Sequence, residues 1–169
     1  MLLTKVLAGV AGCLNLTSYI EVIDEADLPK EAVMYGNPTF DCAGAQLHAV
    51  CRQLATVVTV DGVIDDRNIE RITAFARRFV LAEKPFVLDL SGVSSCAEQL
   101  ISLMYDVDEC CYHAEVDWAV IVSDDVQRVL RGSGVSVPVA VSVPDALHHF
   151  AESIEKRRRL LPLLTQKTA

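Results

Sequence analysis

The sequence predicts an α/β domain built on a mixed, mostly parallel sheet of about five strands, with helices mainly on one face. Three observations carry that expectation. Short apolar runs at Thr56–Val60, Phe86–Leu88 and Trp118–Val122 alternate with segments whose apolar residues recur at helical spacing. Those helical segments are too long for hairpins, so the strands they join run parallel. From Val135 to Val143 valines alternate with small or polar residues, as in a strand with one packed face and one open face.

Each element has a local reason. Cys42–Val50 and Thr56–Val60 read as two strands around a polar turn at Arg52 and Gln53, close enough to form an antiparallel hairpin. Gly62–Asp66 then turns the chain into a helix with the stripe Ile69, Ile72, Phe75, Ala76, Phe79 and Val80, and Asp65 or Asp66 is placed to cap it. Phe86–Leu88, held between Pro85 and the turn formers Ser91 and Gly92, is too short for a helix and reads as a buried strand ending at Asp89. A Ser-rich turn leads to a helix beginning near Ser95 to Ala97. At 100° per residue, Leu100, Leu103, Met104, Val107 and Cys111 gather on its core side. Glu98, Ser102, Tyr105, Asp106 and Glu109 take the other.

Trp118–Val122 follows as a strand, and Ser123, Asp124 and Asp125 open a short helix ended by Gly132 and Gly134. Val135–Val143 is the expected fifth strand, with Pro138 marking an edge. Pro144 opens the last helix, which carries Leu147, Phe150, Ala151, Ile154 and Leu161.

The punctuation Pro29, Gly36 and Pro38 divides the chain into an N-terminal extension and linker (1–38), a domain (39–165) and a tail (166–169). Met1–Ile23 is apolar but broken by Lys5, Asn15 and Ser18, short of the about 20 apolar residues that a spanning helix needs. Val10–Cys13 is similar to a lipoprotein cleavage box. Its apolar stretch is short and only Lys5 precedes it, so a packing extension is expected instead.

Composition narrows the function classes. A net charge of −8 disfavours a nucleic-acid surface, which rests on clustered Lys and Arg. The six cysteines contain no C-x-x-C, so neither a disulfide framework nor a zinc knuckle is expected, and reduced thiols fit a cytoplasmic protein. Cys110, Cys111 and His113 are helical neighbours pointing apart, so they make no metal site by themselves. No Gly-rich phosphate loop, G-x-S-x-G elbow or H-E-x-x-H is present, and His48, His113, His148 and His149 accompany no nucleophile motif, so neither catalysis nor a cofactor is expected. Lys156–Arg159 reads as a solvated helix face, with an acidic surface or anionic lipid as its alternative partner. No membrane association is otherwise expected.

Two spaced motifs carry a family resemblance. D-L-S-G-V at Asp89–Val93 and D-G-V-I-D at Asp61–Asp65 resemble the fingerprints of the STAS domain, the sulfate transporter and anti-sigma factor antagonist family. The likeness spans about Asp41 to Leu164. It implies a STAS-like fold and a bacterial, non-catalytic transcription-regulating module. Such a module docks on an anti-sigma factor or kinase-like partner through the turn after the second strand, the loop after the third and the helix that follows. Here those positions carry Asp65, Ser94, Ser95, Glu98, Ser102 and Tyr105.

The family pattern D-L-S-G-V-x-x-x-D-S-x-G puts its Asp on Ala97, its phosphorylatable residue on Glu98 and its Gly on Leu100. A fixed carboxylate therefore stands where a switchable phosphate would, and it also complements the helix dipole. Ser94 and Ser95 are the nearby hydroxyls, with helix capping as their ordinary role. The alternative is a STAS-like ligand or redox sensing module outside any sigma pathway. In that reading Cys96 is the thiol to watch, although a helix N-terminus and a neighbouring carboxylate shift it in opposite directions and an ordinary thiol is expected.

Overall fold

The computed structural model describes residues 39–165, with side chains described as far as Arg159. The extension, the Val10–Cys13 box, the tail and the side chain of Leu161 lie outside the described residues. Among the described residues, six strands and four helices follow in the order β1 (Thr39–Cys42), β2 (Ala45–Cys51), β3 (Thr56–Ile64), α1 (Ile69–Arg78), β4 (Phe86–Leu90), β5 (Val93–Cys96), α2 (Leu100–His113), β6 (Trp118–Val122), α3 (Asp124–Ser133) and α4 (Val143–Thr165).

The sheet order is β1-β2-β3-β4-β6, with β5 pairing the far half of β3. The β1-β2 and β2-β3 pairs are antiparallel, and the β3-β4 and β4-β6 pairs are parallel. Such a sheet follows from the chain: hairpin turns join the first three strands, α1 separates β3 from β4, and α2 stands between β5 and β6, while only the turn at Ser91 and Gly92 separates β4 from β5.

Alternation along the strands fills two cores. Leu47, Val58, Val60, Leu88, Leu90 and Val120 face α1, α2 and α3, which supply Ile72, Ala76, Leu103, Met104, Val107, Val126 and Leu130. Val57, Val87, Ala119 and Ile121 face the other way and are covered by Ala146 and Phe150 of α4. The layering is therefore three helices on one face and one on the other. All five expected core residues of α2 are buried.

Four expectations change in detail. The first strand is itself a hairpin, because Ala43 and Gly44 adopt positive φ (47° and 100°) and split β1 from β2. Helix α1 starts at Ile69 with Asn68 at its cap position, and neither Asp65 nor Asp66 caps it. The Ser-rich turn contains a short strand, β5, so α2 begins at Leu100 rather than near Ser95. The Val135–Val143 alternation yields a single parallel bridge, Val120 to Val139, held by Val120 N to Pro138 O and Ala140 N to Val120 O, both 2.9 Å. Pro138 lacks an N–H and cannot extend a ladder on both sides, and Val141, 88% exposed, has left the sheet. Helix α3 is capped as expected, with Ser123 Oγ accepting from Val126 N and Gly134 closing it at φ 69°.

Candidate partner-docking site

The two motifs that lie 28 residues apart, Asp61 to Asp89, come together at the C-terminal ends of β3 and β4. Strand β5 runs parallel to the end of β3, pairing Val93 with Gly62, Ser95 with Val63 and Cys96 with Ile64, with a bulge between Gly62 and Val63. Gly62 N donates to Gly92 O (3.0 Å), Ala97 N to Ile64 O (3.0 Å) and Ser94 Oγ to Gly62 O (3.2 Å). The hydroxyl of Ser94 thus fastens the loop and does not cap α2, and Ser95 does not cap it either, since the cap position is Gln99 and carries no side-chain bond.

Gly62 makes this approach possible. Its φ of 102° suits glycine, and an added Cβ would run into the backbone carbonyl of Gly44. A Cβ on Gly92 would collide with the Asp61 carboxylate.

Beneath the turn, Asn68 is fully buried and spends its whole amide: Nδ2 donates to the carbonyls of Cys42 (3.2 Å), Ala43 (3.3 Å) and Val63 (2.8 Å), and Oδ1 accepts from Asp65 N (2.9 Å). Sequence reasoning passed over Asn68. An Asn ahead of an apolar helical run was its available signal.

The candidate residues sort by exposure. Ser94, Ser95, Glu98, Ser102 and Tyr105 are exposed, Tyr105 by 61%, and Asp65 is half-buried. Asp65 is engaged within its own turn: its carboxylate accepts from Arg67 N (3.0 Å), Nε (3.0 Å) and Nη2 (2.6 Å). The Arg67 hydrogen bonds hold that carboxyl below the usual range and push the guanidinium up.

Glu98 lies in the single turn ahead of α2, where Leu100 N, Ile101 N and Ser102 N donate back to Ala97 O, Glu98 O and Gln99 O (3.1, 3.1 and 3.0 Å). Its negative charge is thereby set at the positive end of α2. Val63, 40% exposed, adds an apolar residue in the β3 turn. Asp106 on α2 meets Arg77 of α1 at 3.5 Å, bracing the helix beneath this face. Burial, reinforced by Asp125 and opposed by Arg128, pushes the Cys96 thiol up.

This mixed sheet, with the loop after β4 packed against the end of β3, is the STAS fold. A structure of an anti-sigma factor antagonist from Mycobacterium paratuberculosis aligns with a TM-score of 0.54 at 19% identity, covering 63% of this chain and 94% of that one. Moorella thermoacetica RsbS, in a serine-to-glutamate variant, aligns at 0.56 and 12% identity over 64% of this chain and 97% of that one. No family model matches the chain. In sequence it is 44% identical over 138 residues to osmosensory protein A of Mycobacterium tuberculosis, covering 78% of this chain and 87% of that protein. The chain therefore belongs to the same family as osmosensory protein A.

Proposed function

We propose that this chain is a non-catalytic regulatory module that docks on an anti-sigma factor or kinase-like protein. The contact is made through the turn after β3, the loop carrying β5 and the first turns of α2. The observation carrying this reading is the β3-β5 pairing, which brings both fingerprint segments onto one surface and leaves Ser94, Ser95, Glu98, Ser102 and Tyr105 exposed along it. Asp65 shapes the edge of the surface through Arg67. Glu98 supplies a permanent charge in place of a phosphorylatable serine, so docking is not switched at that position. A cytoplasmic location goes with such a partner.

Copurification from native cytosol identifies the partner, and calorimetric titration against it tests the surface. Tyr105→Ala, removing an exposed aromatic set among polar groups, weakens binding by about 1 to 2 kcal/mol. Glu98→Lys slows association in a salt-dependent way, and circular dichroism of both variants stays that of the parent. Parent-like binding by both variants, with loss on substituting Lys156–Arg159, would move the docking surface to α4.

The name of the 44% identical relative, an osmosensory protein, favours a second reading in which the same module answers a physical or chemical signal outside any sigma pathway. A small molecule retained through purification, with no protein partner recovered, supports that alternative.

A further inference from the structure

Away from the docking face, at the opposite end of β3, the sheet register brings together two nucleophiles. Cys51 ends β2 and pairs with Thr56, while Thr56 N donates to Pro85 O (2.9 Å) and Thr56 pairs with Phe86. Lys84 is thereby carried beside Cys51 across 33 residues of sequence, and its Nζ donates to Cys51 Sγ at 3.1 Å. Thr56 Oγ1 lies 3.9 Å from the same sulfur. Cys51 is exposed, whereas Cys42 and Cys111 are buried and Cys96 and Cys110 are half-buried.

We propose that Cys51 and Lys84 form a peroxide-responsive pair whose oxidation product is a covalent sulfur–nitrogen link between β2 and the turn before β4.

The chemistry balances in two steps. The Cys51 thiolate attacks one oxygen of hydrogen peroxide and the O–O bond breaks. The Lys84 ammonium gives its proton to the departing hydroxide, leaving Cys51–SOH, a neutral Lys84 amine and one water. The amine then attacks the sulfenic sulfur, the S–O bond breaks, and a second water leaves as Cys51–S–NH–Lys84 forms. Sulfur loses two electrons and peroxide gains them. The pair already stands at the separation of about 3 to 3.5 Å from which positioned groups react. The ammonium also holds the Cys51 thiol below its usual range, while burial pushes Cys42, Cys96 and Cys111 up, so peroxide meets more thiolate at Cys51 than at those three.

The test uses the reduced full chain treated with a small excess of hydrogen peroxide, followed by intact mass and peptide mapping. The expected product is two hydrogens lighter than the reduced chain and contains the Cys51 and Lys84 peptides joined to each other. Lys84→Arg keeps the positive charge but stops at the sulfenic acid, which a cyclic 1,3-dione traps. Lys84→Met slows oxidation of Cys51 by about three- to ten-fold, as the thiolate fraction falls. Because both positions lie at the sheet margin, circular dichroism of the variants matches the parent. A first product at another cysteine, any cysteine–cysteine disulfide, or Cys51 oxidised with the Lys84 peptide unlinked would overturn the proposal.

Discussion

Asn68 shows how much one amide can hold. Its four hydrogen bonds tie the β1-β2 turn, the end of β3 and the start of α1 to a single buried side chain. Asn68→Ala leaves Asp65 N and three carbonyls without that partner in a closed space, and unfolding by urea is expected to show a loss of about 2 to 3 kcal/mol. Asn68→Asp keeps the shape but aims a carboxylate at those carbonyls, so at neutral pH it destabilises at least as much. A loss below about 0.5 kcal/mol for both would mean that water replaces the amide there. Glu98 and Tyr105 are different residues in kind. Each is exposed, and their substitution should act on binding and leave folding alone.

Among the elements, β3 organises the site. Its first half pairs with β4 over Thr56–Thr59 and its last residues pair with β5, so one strand links the sheet centre to the loop carrying β5. Gly62 is the joint between these halves, with its positive φ and the Gly44 carbonyl against its face. Gly62→Ala is expected to cost about 1 to 3 kcal/mol. Hydrogen exchange should localise the damage, with amides of Val93–Cys96 exchanging faster while those of Trp118–Val122 are protected as before. Uniform acceleration across both strands would mean that the joint is part of the global fold and not of the loop alone.

For the molecule as a whole, the buried thiols set an alkaline limit to stability. Burial, with smaller contributions from Cys110 and Asp108, pushes Cys111 up to about 12, and burial raises Cys42 and Cys96 in the same direction. In the unfolded chain these thiols ionise near 8.5. Their contribution is therefore intact below about pH 8.5 and is lost as pH climbs toward the folded value, because the unfolded state releases protons first. Urea midpoints should fall between about pH 8.5 and pH 10.5. Cys111, which is fully buried, accounts for about 2 to 3 kcal/mol of the loss by about pH 10.5. Cys111→Ala lowers stability at every pH through the cavity it leaves, yet flattens that slope. An unchanged slope would assign the alkaline loss to other groups.

Local pattern was enough to determine the α/β class, the helices, the strands Thr56–Val60, Phe86–Leu88 and Trp118–Val122, and the buried face of α2, because side-chain periodicity follows directly from backbone geometry. It also marked both fingerprint segments. What it could not supply was any relation set by distant pairing. The β1-β2 split turns on positive φ at Ala43 as well as Gly44, and Ala carries no signal for that conformation. β5 exists because the end of β3 offers it a partner, and its four residues have too little pattern of their own. The Val135–Val143 alternation looked like a full strand, but only Val139 found a bridge. The bonds that Asn68 and the Cys51–Lys84 pair make were hidden for the same reason: they cross 26 and 33 residues and form only when the whole chain packs.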